Sequence, residues 1–254
     1  MGRKDDRVKP GAAPQVHEVK LSPFCMDVNE VTVAEYKKCS DDGACKRAAK
    51  NNEWPRIRTD ERINYDPECN IQHAEARKRH PINCVTWEMA ELFCKAQHKR
   101  LPTEAEWERA ARGSDSRPFP WGREDPDAKR LNACGTECVS WHKQHRLHAR
   151  PLHDSDDGFT TTAPVGSFPR GASPYGVQDM GGNVWEWVAD WYAPYPEEGQ
   201  VEPTGPATGQ HRVLRGGAFQ GTDSAAVRAT YRHHDLPMVT SWIIGFRCAR
   251  DPSD

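Results

Sequence analysis

Arg100-Leu101-Pro102-Thr103-Glu104-Ala105-Glu106-Trp107-Glu108 is the stretch from which the fold can be read outward. Thr103 and Glu106 stand as a capping box, in which the hydroxyl takes the amide three residues on and the carboxylate reaches back to the cap amide. Trp107, Ala110 and Ala111 continue as an apolar stripe until Gly113 supplies a stop. Just upstream, Trp87, Ala90, Phe93 and Cys94 recur at helical spacing after Thr86, which predicts a second helix on the same core. A further box, Thr32-Val33-Ala34-Glu35, predicts a helix over about 33–39 with Tyr36 turned inward.

Away from these helices the pattern weakens. Residues 40–80 mix charge, Asn and two prolines without a period and read as a long loop that cysteines pin. From Pro118 to Arg212 the chain reads as turns around short extended pieces such as Ala163–Phe168, with aromatics at Trp185, Trp187, Trp191 and Tyr192. Arg212–Arg215 and Ile243–Cys248 are rich in β-formers and predict two strands separated by a polar surface segment. Residues 1–15 read as a flexible polar tail before a domain over 16–254. With 19 Gly, 20 Pro and 36% hydrophobic residues in 254, much of the chain must be irregular, which excludes bundles and repeat arrays. The simplest partition is one α+β domain, with two helices packed on short antiparallel sheets.

The charge balance, 35 Lys+Arg against 37 Asp+Glu, gives no footprint for nucleic acid. No run of about 18 apolar residues predicts a membrane span, and the first seven residues lack a signal peptide's apolar stretch. Nine cysteines are nevertheless many for a cytosolic protein, so an exported domain written without its leader is expected; the alternative is a cytoplasmic protein with buried thiols. Cys134-x3-Cys138-x3-His142-x2-His145 supplies a complete Cys2His2 set for zinc, but its spacing is unusual, and a small disulfide beside solvated histidines is the simpler reading.

Six motifs together resemble the formylglycine-generating enzyme family, the sulfatase-modifying factors, along nearly the whole ordered chain. They are Met26-Asp27 through Glu30-Val31-Thr32, Pro81-Ile82-Asn83-Cys84-Val85-Thr86-Trp87, Arg100 to Glu108, Asp179-Met180-Gly181-Gly182-Asn183-Val184-Trp185-Glu186-Trp187, Arg215-Gly216-Gly217 and Gly245-Phe246-Arg247-Cys248. The resemblance implies a compact, irregular α+β domain of the C-type-lectin-like kind that holds calcium. It also implies two copper-binding cysteines after Arg-Gly-Gly, which oxidise a sulfatase cysteine with molecular oxygen. Those positions are Gly221 and Ala226 here, and neither offers the thiolate that Cu(I) requires. The nearest sulfur along the chain is Met238 or Cys248, so copper and formylglycine production are not expected. A second pair of family cysteines is also absent, at Ala111 and Tyr231.

The resemblance further implies a disulfide between Cys94 and Cys248. Cys39 with Cys45 and Cys134 with Cys138 are then spaced for local loops, and Cys69 can meet Cys84, leaving Cys25 unpaired, though spacing alone does not fix this connectivity. Calcium wants six to eight hard oxygens. The family's two sites map to Asp179, the Gly182 and Val184 carbonyls and Glu186, and to Asn132, the Ala133 carbonyl, Asp157 and the Phe159 carbonyl. Asp154-Ser155-Asp156-Asp157-Gly158 resembles an EF-hand start, but Val165 stands where the bidentate Glu belongs. The segment from Ala218 to Trp242 lines the family's substrate cleft. Here it offers Phe219, Gln220, Asp223, Arg228, Tyr231, Arg232, His233, His234 and Trp242. Aromatic and Arg anchors with polar neighbours suit a peptide, protein or glycan ligand. The reading is a calcium-stabilised binding or accessory module, expected to be a monomer. The alternatives are a metal-dependent oxidase recruiting His233, His234 or His142, and an accessory protein of an operon-encoded system.

Overall fold

The elements follow in the order β1 (Val19–Lys20), β2 (Cys25–Met26), α1 (Val33–Asp41), α2 (Thr59–Tyr65), α3 (Trp87–Ala96), α4 (Glu104–Arg112), α5 (Thr136–Gln144), β3 (Trp185–Trp191), β4 (Gln200–Val201), β5 (Arg212–Arg215), β6 (His233–Asp235), β7 (Ile244–Phe246) and β8 (Ala249–Arg250). A computed structural model describes Met1 and residues 16–252; apart from Met1, the tail expected over 1–15 lies outside the described residues. Caps start the helices where the sequence places them. Thr32 accepts from the Glu35 amide, Thr86 from that of Met89 and Thr103 from that of Glu106, and α4 stops at Gly113 with φ +64°. The loop expected over 40–80 holds α2 and two short 3-10 turns, pinned by Cys39–Cys45 and Cys69–Cys84. α2 buries no residue, so it left no apolar period in the sequence.

The central sheet has the order β6-β5-β3-β7. β5 runs antiparallel to both β3 and β6, whereas β7 lies parallel to β3. The expected antiparallel sheets are thus joined by parallel pairing. The long excursion through β5 and β6 returns β7 alongside β3 in the same direction. β1 and β4 form a second, parallel pair, and β2 and β8 an antiparallel one. β3 is the middle of the core. Trp187 packs in a cluster with Tyr36, Phe93 and Phe246, while the neighbouring Val188 packs on the other side with Trp107, Ala110 and Val213. Alternate residues of the strand thereby bury on opposite faces, one toward α3 and one toward α4.

The buried arginines of this core are paired with carboxylates. Arg247 is fully buried and spends its guanidinium on Glu186 (Nε to Oε2 and Nη2 to Oε1, both 2.7 Å) and on the carbonyls of Asp27, Val28 and Gln178. Trp107 Nε1 donates to the same Glu186 carboxylate at 2.9 Å, which ties α4 to β3. A second buried network joins Arg215 to Glu104 and Glu108, and Arg232 to Glu104. Four disulfides complete the frame: Cys39–Cys45, Cys69–Cys84, Cys94–Cys248 and Cys134–Cys138, with Cys25 free and exposed. Cys94–Cys248 spans 154 residues, a loop whose closure stabilises by about 5 kcal/mol in the chain-entropy account. Among the described residues no helix is long and apolar enough to cross a membrane.

Removing Arg247 strands Glu186 in the core. Arg247→Met is expected to cost about 3–5 kcal/mol in urea unfolding, and the double variant E186Q/R247M to recover part of it. A single variant as stable as the parent would show that the pair does not hold the fold.

Candidate functional site

The segment 218–242 is not a uniform surface. Phe219 and Trp242 are buried in a small cluster with Trp141 and the Cys69–Cys84 bridge. Trp242 stacks on Tyr65 at 4.6 Å and on Trp141 at 5.5 Å, and its amide donates to Asn52 Oδ1. Arg232 turns inward too, with Nε and Nη2 on the two Glu104 oxygens at 2.6 and 2.7 Å and its guanidinium 3.8 Å above the Tyr195 ring. These three residues brace the loop. Asp223 is exposed but shapes its own turn, accepting from the Ala225 amide at 2.8 Å, and Arg228 lies over the Phe119 ring. Gln220 is half-buried beside them.

Tyr231, His233 and His234 form a separate face with rings the sequence reading did not assign to it. Trp185 lies 6.0 Å from Tyr231 and 5.1 Å from His233, while Tyr192 lies 4.1 Å and His211 4.8 Å from His234. Pairing of β5 with β6 opposes Val213 to His234, and this register gathers the rings. Only pairing shows this, because Trp185, Tyr192 and His211 lie far from His233 in sequence. Burial lowers the pKa of both His233 and His234, favouring neutral imidazoles able to stack and to exchange hydrogen bonds.

Gly221 and Ala226 sit in consecutive turns. The Gly221 amide donates to the Ala218 carbonyl at 2.7 Å and the Ala226 amide to the Asp223 carbonyl at 3.0 Å. A Cβ built on Gly221 would stand 2.9 Å from the Ala218 oxygen, so the backbone leaves no relaxed room for a side chain there.

The two oxygen-rich sets differ. Asn132 is buried and its Oδ1 has no partner, while Nδ2 donates to the Thr161 carbonyl and to Asn183 Oδ1. Asp157 accepts from the Ala133 and Phe159 amides at 3.0 and 2.9 Å, and burial, with Glu137 and Asp156 nearby, pushes its pKa up to about 7. Carboxylate oxygens of Glu137, Asp156 and Asp157 lie within 4.8 Å of one another, and Glu137 Oε2 also lacks a partner. Orphaned and crowded oxygens of this kind match a hard cation. Glu137 belongs to α5 and was missed, since only the fold brings it to Asp157. In the other set Glu186 already gives both oxygens to Arg247 and Trp107, so it does not fit as a ligand. Asp179 accepts from the Gly166 amide at 2.6 Å. Gly182, at φ +89°, passes so near the Asn132 carbonyl that a Cβ would lie 2.3 Å from it, so its place in the motif is steric. Glu30, which the sequence reading did not single out, is buried beside Asp179 and Glu186 and accepts from Asn183 Nδ2 and the Val184 amide. Burial and the two neighbouring carboxylates raise its pKa well above the ordinary carboxylate value.

The sulfatase-modifying factor enzyme 1-like domain model matches residues 1–252. The formylglycine-generating enzyme of Streptomyces coelicolor is 40% identical over 191 residues, covering 73% of this chain. This chain spans only 57% of that enzyme. The mouse inactive C-alpha-formylglycine-generating enzyme 2 is 35% identical over 176 residues, 66% of this chain and 48% of that one. Among solved structures, PvdO from Pseudomonas aeruginosa superposes with a TM-score of 0.66 at 26% identity, covering 99% of this chain and 90% of its own.

A buried acid outside both oxygen sets gives a clean pH test. Asp190 accepts from the Glu104 amide at 2.7 Å in the wall of a cavity of about 490 Å3, and burial, then the Glu104 charge, moves its pKa from 3.8 to about 7. The folded state therefore holds a proton that the unfolded chain releases near pH 4. This contribution is full below that pH, falls as pH rises, and is gone above about 7. At 1.36 kcal/mol per pKa unit over the roughly two units between pH 5 and the folded-state pKa of about 7, Asp190→Asn is expected to flatten the decline by up to about 3 kcal/mol in urea titrations at pH 5 and pH 8. Equal slopes for parent and variant would contradict the assignment.

Proposed function

The chain belongs to the sulfatase-modifying factor enzyme 1-like family, and we propose that it is a member that does not generate formylglycine and serves as a calcium-stabilised binding or accessory module. The observation that carries this reading is the absence of sulfur at Gly221 and Ala226, the positions to which the resemblance assigns copper. The close approach of the Ala218 carbonyl to Gly221 supports it further, because the turn has no relaxed place for a cysteine.

Recognition is assigned to the face built from Trp185, Tyr192, Tyr231, His233 and His234. Rings half-exposed at varied tilts offer stacking surfaces, and neutral imidazoles offer one donor and one acceptor each. β6 is an edge of its sheet, so its outer backbone groups are free to meet an extended peptide. A peptide, the surface of a protein, or a glycan fits these groups. Calcium would be held by Asn132, Asp157 and the Ala133 and Phe159 carbonyls, with Glu137 and Asp156 adding charge; its role is to neutralise crowded oxygens and lock the loop ahead of β3. The disulfides suit an oxidising, extracytoplasmic compartment.

Incubation of the purified chain with copper, oxygen and a cysteine peptide of sulfatase type is expected to yield no aldehyde by mass spectrometry. Turnover would overturn the reading. Chelation by EDTA is expected to lower the melting temperature by about 5 °C or more, because an ion bound only to the folded state stabilises it by mass action. Asp157→Asn is expected to abolish that shift, and a parent protein indifferent to EDTA would remove calcium from the account.

A further inference from the structure

Along the chain, no sulfur stands in for those missing at Gly221 and Ala226. In space one pair lies near that turn. The Cys134 amide donates to the Gly221 carbonyl at 3.3 Å, so the backbone at one end of the Cys134–Cys138 bridge is tied to the turn. Cys138 and His142 are four residues apart on α5 and share its buried face. Cys134 precedes the N-cap Gly135, and its sulfur, that of Cys138 and a ring nitrogen of His142 lie within 4.8 Å of one another. All three residues are buried, at 0%, 1% and 7% exposure.

We propose that, when the Cys134–Cys138 bond is reduced, Cys134, Cys138 and His142 bind one thiophilic d10 cation, Zn2+ or Cu+. Cys138 Sγ stands 3.5 Å from His142 Nδ1. Tetrahedral zinc, with bonds of about 2.3 Å to sulfur and 2.0–2.1 Å to nitrogen, holds those two atoms about 3.6 Å apart. The imidazole nitrogen therefore already stands at about the distance from sulfur that a shared ion would set; the sulfurs must part and Nδ1 must give up its contact with the Cys138 carbonyl. His145, the fourth member of the sequence set, is not part of the group that lies within 4.8 Å, and its ring stacks on Trp141 at 4.0 Å. Three protein donors leave one position for water or an exogenous group.

The chemistry balances with an external dithiol. Its two thiols give up two electrons and two protons and close to a disulfide, while Cys134 and Cys138 become thiols. Binding the ion then releases those two protons. The Nδ1 of His142, now 2.9 Å from the Cys138 carbonyl, exchanges that contact for the metal, with its proton moved to Nε2. The bridge closes the shortest loop of the four, with a sequence separation of 4 against 6, 15 and 154, so its loss frees the least chain. The donor sets of this site and of the calcium reading share no residue, although Ala133 and Glu137 adjoin Cys134 and Cys138.

The test uses the full chain carrying Cys25→Ser, which removes the exposed thiol. Limited anaerobic reduction with dithiothreitol and alkylation mapping should open Cys134–Cys138 while Cys94–Cys248 stays closed. Competition against chromophoric chelators should then show one Zn2+ or Cu+ per chain in the reduced protein and none in the oxidised protein. Co2+ should give thiolate charge-transfer absorption. His142→Ala keeps the disulfide, and its folding can be checked before reduction; it should weaken binding at least tenfold. The proposal is overturned if the reduced chain binds no ion, if His142→Ala binds as tightly as the parent, or if the other bridges open while Cys134–Cys138 stays closed.

Discussion

The ion pair between Arg247 and Glu186 is the constraint around which the rest is arranged. Both groups are fully buried, where an isolated charge would be prohibitively costly, so each is tolerated only because the other and a full set of hydrogen bonds are present. The pair draws together the strand β3, the end of β7, the Asp27–Val28 and Gln178 backbone, and through Trp107 the helix α4. Regular structure is sparse, and short strands cannot fix their own positions through ladder hydrogen bonds alone. Directional buried contacts substitute for them.

That architecture explains which parts were legible. The helices α1, α3 and α4 announce themselves because capping is local: Thr32 with Glu35 and Thr103 with Glu106 are three residues apart, and the chemistry of each box is complete in the sequence. β3 is hidden by its own burial. Trp187 and Val188 both face core, so the strand carries no alternation of apolar and polar residues. α5 is obscured differently, because its buried face consists of Cys138, Trp141 and His142, of which two read as chemistry before they read as core.

Of the side chains that the sequence offers between 218 and 242, only some reach the surface. Phe219, Arg232 and Trp242 have the side chains of binding residues, yet their rings and guanidinium are consumed inside, where Trp242 joins a stack and Arg232 neutralises Glu104. The residues that replace them at the surface, Trp185, Tyr192 and His211, come from strand pairing that no local pattern encodes. Glu137 and Glu30 were missed for the same reason: each matters through a carboxylate distant in sequence.

The frame does not lean on the side chains that follow Arg-Gly-Gly. Gly221 and Ala226 lie in turns held by backbone bonds, whereas the core is braced by Arg247 with Glu186, by Arg215 with Glu104 and Glu108, and by the Cys94–Cys248 bridge. On such a scaffold the braced motifs carry the stability and the turn carries none of those contacts, so family membership read from the braced motifs says little about what the turn can do. The turn's own neighbours decide that, and here they are a carbonyl too close to Gly221 and a cysteine pair one hydrogen bond away.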